Sequence, residues 1–488
     1  MTNDDIFRLL ELARTSLTDP EAIAAVDAAA ERLHGPLRVA IAGKIKAGKS
    51  TLLNALVGER LAPTDAGECT RIVTWYRDGA TYRVNFHRDT ETGQVPFRRD
   101  DGALEIDLQG RDPASIDSLE VEWPSSALTE LTFIDTPGID SINTDISART
   151  ERFLTPDDAA PRAADAVVYL MRHVHQSDVR FLEAFHDEVA AQASAINAIG
   201  VLSRADEIGV GRIDALMSSQ RIASRHAADP KLRRLVQTVV PIAGLLAETA
   251  VTLRQDEFRS LETLAAIDRD ELDDLLLSVD RFVSEAAPVM LTAIEREALL
   301  GRFGIFGIRL SCGLIRQKRV TNAPELAEVL ADRSGLHGLR EILRSHFTAR
   351  SDVLRARSAL MTLRSVLDDA SETIPALEHE FERVMAGLHE FAELDLLGSL
   401  RSGGVRLRDA DRDRAERLLG IDGTFAHQRL GGDPASSSES LRALAVTEHQ
   451  HWLGLAESPL LDRDASTACR TLTRTCEGLI VALSQPTP

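Results

Sequence analysis

Gly43, four residues, then Gly48-Lys49-Ser50-Thr51 is a spacing suited to holding phosphate. Glycines let backbone N–H groups turn inward, that of Ala47 among them, and a helix starting after Gly48 adds partial positive charge at the same point. Lys49 can reach β- and γ-phosphates, and the Ser50 hydroxyl can ligate Mg²⁺. Further on, Asp135-Thr136-Pro137-Gly138 offers a carboxylate that can hold Mg²⁺ through water and a Gly138 N–H that can sense the γ-phosphate. Ser203-Arg204-Ala205-Asp206 brings a carboxylate able to accept from N1–H and the exocyclic amine of guanine, a donor pair that adenine lacks. The Arg204 stem can stack on the base, and the backbone at Ala243-Gly244 would face the guanine O6. Thr70 is placed to close the Mg²⁺ shell once triphosphate is bound, with Thr64 and Thr74 as rivals. These stations, in this order, imply GTP or GDP with Mg²⁺.

Such residues need elements to place them. Val39 to Ala42, Leu131 to Asp135, Asp165 to Met171, Ala195 to Ser203 and Val239 to Ala243 read as buried strands, each followed by a turn or helix. Two further strands are expected at Tyr82–His87 and Leu119–Trp123, flanking a charged surface hairpin at 88–115. Alternating strands and helices with the candidate residues at strand ends predict a mostly parallel sheet covered on both faces by helices. Ahead of it, residues 4–33 carry two amphipathic helices broken at Asp19-Pro20. Beyond Leu245 the strand pattern stops. Residues 299–319, apolar with interleaved glycines and a basic flank, fit either a membrane- or partner-touching segment or a helix packed closely on the nucleotide domain. From Leu336 a long helix is expected to run until Pro375, with a loop at 398–407 as a second candidate tip and helices at 409–419, 437–457 and 464–484.

The 488 residues suffice for about three domains at roughly 150 residues each. A net charge of −20 argues against a global basic surface, so no nucleic-acid partner is expected and any anionic-lipid contact must be local. The four scattered cysteines propose neither a zinc site nor a disulfide framework. His173 and His175 lack companions at ligand spacing and read as ordinary loop residues. An acidic start and no uncharged apolar run of about 18 residues lead us to expect a cytoplasmic protein, with any membrane contact peripheral and on the inner face of the cell membrane.

With Gly43–Thr51, Glu68-Cys-Thr-Arg71, Asp135–Gly138, Ser203–Asp206 and the tract Leu300-Gly-Arg-Phe-Gly-Ile-Phe-Gly-Ile308, the chain resembles the bacterial dynamin-like GTPases. It is most similar to the isoniazid-inducible dynamin-like proteins of mycobacteria, in their shorter form. The resemblance implies an α/β P-loop GTPase domain at 35–346 (core 35–250, helical extension 251–346). N-terminal helices at 1–34 would join a helical neck and stalk bundle at 347–488. It implies Mg²⁺-dependent GTP hydrolysis coupled to assembly and to membrane binding and remodelling. The partners it implies are a second copy paired through the GTPase domains or a longer dynamin-like paralogue. Because the bundle is short for a dynamin stalk, an alternative stands beside it, a GTP-regulated assembly or partner-binding subunit that hydrolyses slowly and does not itself remodel membranes. No glutamine follows Gly138; Ile139 and Asp140 stand there instead. Lys46 occupies the loop position where the related guanylate-binding proteins carry a charge-stabilising arginine, so it is either catalytic or merely solvated.

Overall fold

The computed structural model describes residues 3–63, 72–88, 91–100, 102–138, 164–172, 176–187, 197–208, 214–284, 289–369 and 374–484. Thr64, Thr70, Ile139, Asp140, His173 and His175 lie outside these residues.

Two helices, α1 (Asn3–Ser16) and α2 (Pro20–Arg32), precede β1 (Leu37–Gly43) and α3 (Lys49–Val57). The strands β2 (Val73–Arg77), β3 (Arg83–Arg88) and β4 (Glu91–Gln94) follow, then the hairpin β5 (Phe97–Asp100) and β6 (Ala103–Ile106). The remaining strands are β7 (Ser118–Glu122), β8 (Leu131–Asp135), β9 (Ala166–Met171), β10 (Ala198–Ser203) and β11 (Val239–Ile242). Among the described residues nine of these form one sheet in the order β11-β10-β9-β1-β8-β2-β7-β3-β4. The stretch from β11 to β8 is parallel throughout, while β2 runs antiparallel to β8. Parallel strands are buried on both faces, which is why β8, β9 and β10 are buried along their whole length and read as near-continuous apolar runs. Gly43, Asp135, Ser203 and Ile242 stand at the C-terminal ends of parallel strands, the edge where such sheets bind ligands. The charged stretch after β3 is more than a surface hairpin, because β4 extends the main sheet.

The N-terminal helices bury Ile6, Leu9, Leu10, Ala13, Val26 and Ala29. That stripe packs against the helices Ser351–Asp369 and Pro375–Gly387 from the other half of the chain. Leucine-rich helices from 255 to 333 form a separate core with Phe258, Phe282, Phe303 and Phe306. Ala293–Arg316 is long and apolar enough to cross a bilayer, yet Phe303, Phe306, Ile308, Cys312 and Leu314 are buried in this core. Gly304 takes a φ of +62°, kinking the helix over Leu245. A Cβ on Gly307 would come within 3.0 Å of Leu246, so the glycines of the tract permit close approach to the nucleotide domain.

The long helix expected from Leu336 is not continuous. After Leu336–Ile342 the backbone passes through a π turn at Leu343–Phe347 and a 3-10 turn at Thr348–Arg350 before resuming at Ser351. Tertiary contacts hold the break, for buried Arg350 donates to the carbonyls of Leu419 and Gly420, and His346 Nε2 lies 3.0 Å from the Ile421 carbonyl. The second candidate tip also differs from expectation. His389–Ser402 stays helical through Gly398 and ends at Gly403, whose φ of +82° caps it. Leu400 and Arg401 face inward: Arg401 donates to the carbonyls of Arg233 (2.5 Å) and Val236 (2.8 Å), and Glu416 pairs with Arg233. These contacts dock the helical half on the sheet domain just ahead of β11.

Candidate functional site

The site is built from the β1–α3 turn outward. Gly43 leaves β1 at a φ of +147° with its Cα against β9, where a Cβ would lie 2.5 Å from the Leu170 carbonyl oxygen. Gly48 caps α3 at a φ of +94°, so the first amides of α3 face the loop. Lys49 is buried, its Nζ donating to the carbonyls of Gly43 (3.2 Å) and Lys44 (3.4 Å), which hold the ammonium over the loop. Burial lowers its pKa while Asp135 opposes the shift. Ser50 Oγ donates to Asp135 Oδ2 at 2.8 Å, across 85 residues of chain. The other carboxylate oxygen, Oδ1, is buried with no hydrogen-bond partner among the described residues. Burial raises the Asp135 pKa, against the pull of Lys49 and Ser50. A hydroxyl and an uncommitted carboxylate oxygen side by side fit Mg²⁺, which takes one or two such protein ligands and fills its octahedron with phosphate oxygens and water.

Gly138 is in tight contact with the loop. A Cβ there would sit 2.8 Å from Ile45 Cα and 2.9 Å from Ile45 N, so only glycine lets the chain after Asp135 lie against the phosphate loop. On the other side Arg204, at a φ of +55°, donates to the Lys46 carbonyl at 3.0 Å and to Glu207 at 2.6 Å. Lys46 is itself left-handed at +61° and its side chain is exposed. Arg204 therefore fastens the base loop to the phosphate loop. Ser203 is buried, its hydroxyl donating to the Met171 carbonyl, a strand-to-strand contact rather than a free ligand.

Asp206 is half-buried, and burial raises its pKa, helped by Glu207. If Asp206 receives the two N–H groups of guanine, as the sequence predicts, the ionised carboxylate is the binding form, and GTP affinity should be full above the raised pKa of the free protein and fall as pH drops through it. Titrating affinity from pH 8 downward should show the loss setting in at a higher pH than an ordinary aspartate near 4 would give. An affinity flat to pH 4 would exclude Asp206 from base recognition.

Two expectations are corrected. The Ala243 N–H does not face an open base site: Ala243 is fully buried and its amide donates to the Ser334 carbonyl at 3.0 Å. Half-exposed Gly244 opens the helix Gly244–Val251 beside Thr51, and the amides left without an intrahelical acceptor there belong to its first turn. Thr74 is also ruled out as a ligand, since it is buried in β2 with its hydroxyl donating to the Ile72 carbonyl. Thr70 and Thr64 fall outside the described residues. One constellation had no spacing signal: Lys44, the loop residue after Gly43, has its Nζ 3.4 Å from Asp178, a buried carboxylate that also accepts from Tyr169 at 2.9 Å.

Strand, glycine loop, helix and a Ser–Asp pair beneath a buried lysine define a P-loop nucleotide-binding domain. Residues 39–204 match the family model described as the dynamin family. The chain is 44% identical over 462 residues to the isoniazid-induced protein IniC of Mycobacterium tuberculosis, covering 94% of this chain and 93% of that one. The isoniazid-induced protein IniA of the same species is 25% identical over 343 residues, 67% of this chain and 45% of its own. The bacterial dynamin-like protein of Nostoc punctiforme is 45% identical over 51 residues, 10% of this chain and 7% of its own. The chain belongs to the dynamin family and carries its GTPase domain.

Proposed function

We propose that the chain binds GTP with Mg²⁺, hydrolyses it to GDP and phosphate, and couples that cycle to assembly on a membrane surface. The observation that carries the nucleotide part is the Ser50–Asp135 pair with its uncommitted Oδ1 below Lys49. Ser50 and Asp135 would hold magnesium, which when bound offsets charge on the phosphate oxygens. Lys49 and the α3 amides bind the phosphates, Asp206 selects guanine, and Gly138 sets how near the chain after β8 comes to the γ-phosphate.

Lys46, exposed at the loop crest with its carbonyl fixed by Arg204, is positioned to offset charge developing between the β- and γ-phosphates. Lys46→Ala should lower GTP turnover by about 10-fold or more while GTP affinity stays within about 2-fold. Unchanged turnover makes Lys46 a solvated lysine.

Membrane coupling rests on family membership. The inward-facing Leu400 and Arg401 favour a second reading, a partner-binding subunit with slow hydrolysis that acts beside a longer dynamin-like chain. GTP turnover and sedimentation of the full chain with and without anionic liposomes separate the two. Lipid-stimulated turnover with co-sedimentation supports membrane action at the inner face of the cell membrane. Turnover indifferent to lipid, with no pelleting, supports the second reading.

A further inference from the structure

Lys44 is the first residue of the phosphate loop after β1, and both its backbone and its side chain are tied down. Its carbonyl accepts from the Ala47 amide at 3.1 Å and from Lys49 Nζ at 3.4 Å, so it closes the turn of the loop and helps carry the ammonium. Its side chain reaches Asp178, with Nζ 3.4 Å from Oδ1. Asp178 stands in the first turn of the helix Gln176–Asp187 and is 1% exposed. A carboxylate so deeply buried needs opposite charge or hydrogen bonds around it, and Tyr169 of β9 donates to the same Oδ1 at 2.9 Å. Burial and the Asp178 charge raise the Tyr169 pKa, so the phenol stays a donor. The Tyr169 ring also stacks on Phe181, one turn beyond Asp178, with centroids 5.1 Å apart. In the sheet Tyr169 pairs with Ala42 and Leu170 with Gly43. The carboxylate is thus a fixed post on β9, beside the strand from which the loop leaves. The loop needs such a post. Lys46 holds a φ of +61° with its side chain exposed, and a left-handed lysine persists only where surrounding contacts fix the backbone.

We propose that Lys44 and Asp178 are positioning residues for nucleotide binding: their ion pair holds the phosphate loop, ahead of the nucleotide, in the shape that receives the phosphates. The inference rests on the GTPase reading and deepens it. Without the tie, the loop must be ordered at the moment of binding, and that cost falls equally on GDP and GTP. Once nucleotide is in place the loop is closed either way, so the loss belongs in affinity rather than in turnover. That is the reverse of the pattern expected for Lys46.

The test uses the full chain as wild type, Lys44→Met, Lys44→Arg, Asp178→Asn and the Lys44→Met/Asp178→Asn double variant. GDP affinity by calorimetry, KM and kcat for GTP, and the thermal midpoint are measured for each. Lys44→Met and Asp178→Asn should each weaken GDP and raise KM by about 10-fold, with kcat within about 2-fold of wild type. The double variant should lose no more than about 2-fold beyond the worse single one, because each change breaks the same tie. Lys44→Arg keeps the cation and should recover most of the affinity. Lys44 is 39% exposed, so if the buried Asp178→Asn does not fold, Lys44→Met set against Lys44→Arg still decides. Unchanged GDP affinity in Lys44→Met overturns the proposal, whatever happens to the thermal midpoint. So do losses that multiply in the double variant. Weaker binding in Lys44→Met beside tighter binding in Asp178→Asn also overturns it, since Lys44 would then serve the phosphates itself with Asp178 as competitor. A wild-type chain that takes up neither nucleotide defeats the GTPase reading and this proposal with it, a result seen before any variant is compared.

Discussion

Lys49→Ala should abolish measurable GTP turnover and weaken GTP binding by roughly 100-fold or more. A charge-assisted hydrogen bond contributes about 1.5–3 kcal/mol, and Lys49 can make two to the β- and γ-phosphates, which converts to that range. The geometry explains why nothing nearby substitutes. Lys49 is buried and held by the Gly43 and Lys44 carbonyls above the Ser50–Asp135 pair, whereas Lys44 is tied to Asp178 and Lys46 is exposed at the loop crest. The fold should survive. Alanine is a better helix former than lysine at the start of α3, and removing a buried ammonium removes a desolvation cost. The thermal midpoint should therefore stay within a few degrees of wild type while nucleotide no longer raises it. Binding within about 3-fold of wild type, measured by calorimetry in magnesium buffer, would overturn the assignment of the phosphate site.

Arg32→Ala should destabilise the chain by about 3–5 kcal/mol, the effect of removing one partner from a buried ion pair. Arg32, at the end of α2, donates to Asp165 Oδ1 at 2.8 Å, with side-chain exposures of 6% and 2%. Asp165 Oδ2 accepts from the Arg38 amide at the start of β1, so one carboxylate joins the N-terminal helices, β1 and the entry to β9. Without Arg32 that carboxylate keeps the Arg38 amide but loses its buried hydrogen-bonded cation, so Asp165→Asn added to Arg32→Ala should recover part of the deficit. Urea unfolding of the three proteins tests this, and a deficit below about 0.5 kcal/mol, or no recovery in the double variant, contradicts it.

The Asp165 case marks where a reading from residues alone runs out. The phosphate loop was readable because its function lies in consecutive residues, where glycines at fixed offsets and the lysine and serine behind them fix the backbone within a single turn. The same holds for Asp135 before a proline-glycine turn, for the buried parallel strands, and for the helices near 409–418, 438–456 and 463–484, whose ends are punctuated by glycine and proline. In each, the signal and the structure span the same few residues.

Tertiary structure decided everything whose partners lie far apart. Arg32 and Asp165 are separated by 133 residues, Ser50 and Asp135 by 85, and Arg401 and the Arg233 carbonyl by 168, and no periodicity links such positions. Helical spacing continued across 343–350, yet the helix breaks there because Arg350 and His346 gain carbonyl partners on a distant turn that a straight helix would not reach. The Ala243 amide is closed to the base because Ser334, 91 positions later by its number, takes it first. The order of the nucleotide stations was written in the residues themselves; which of their backbone groups stay open to a ligand was settled only when the helical half packed against them, because a hydrogen-bond donor serves whichever acceptor the fold brings nearest.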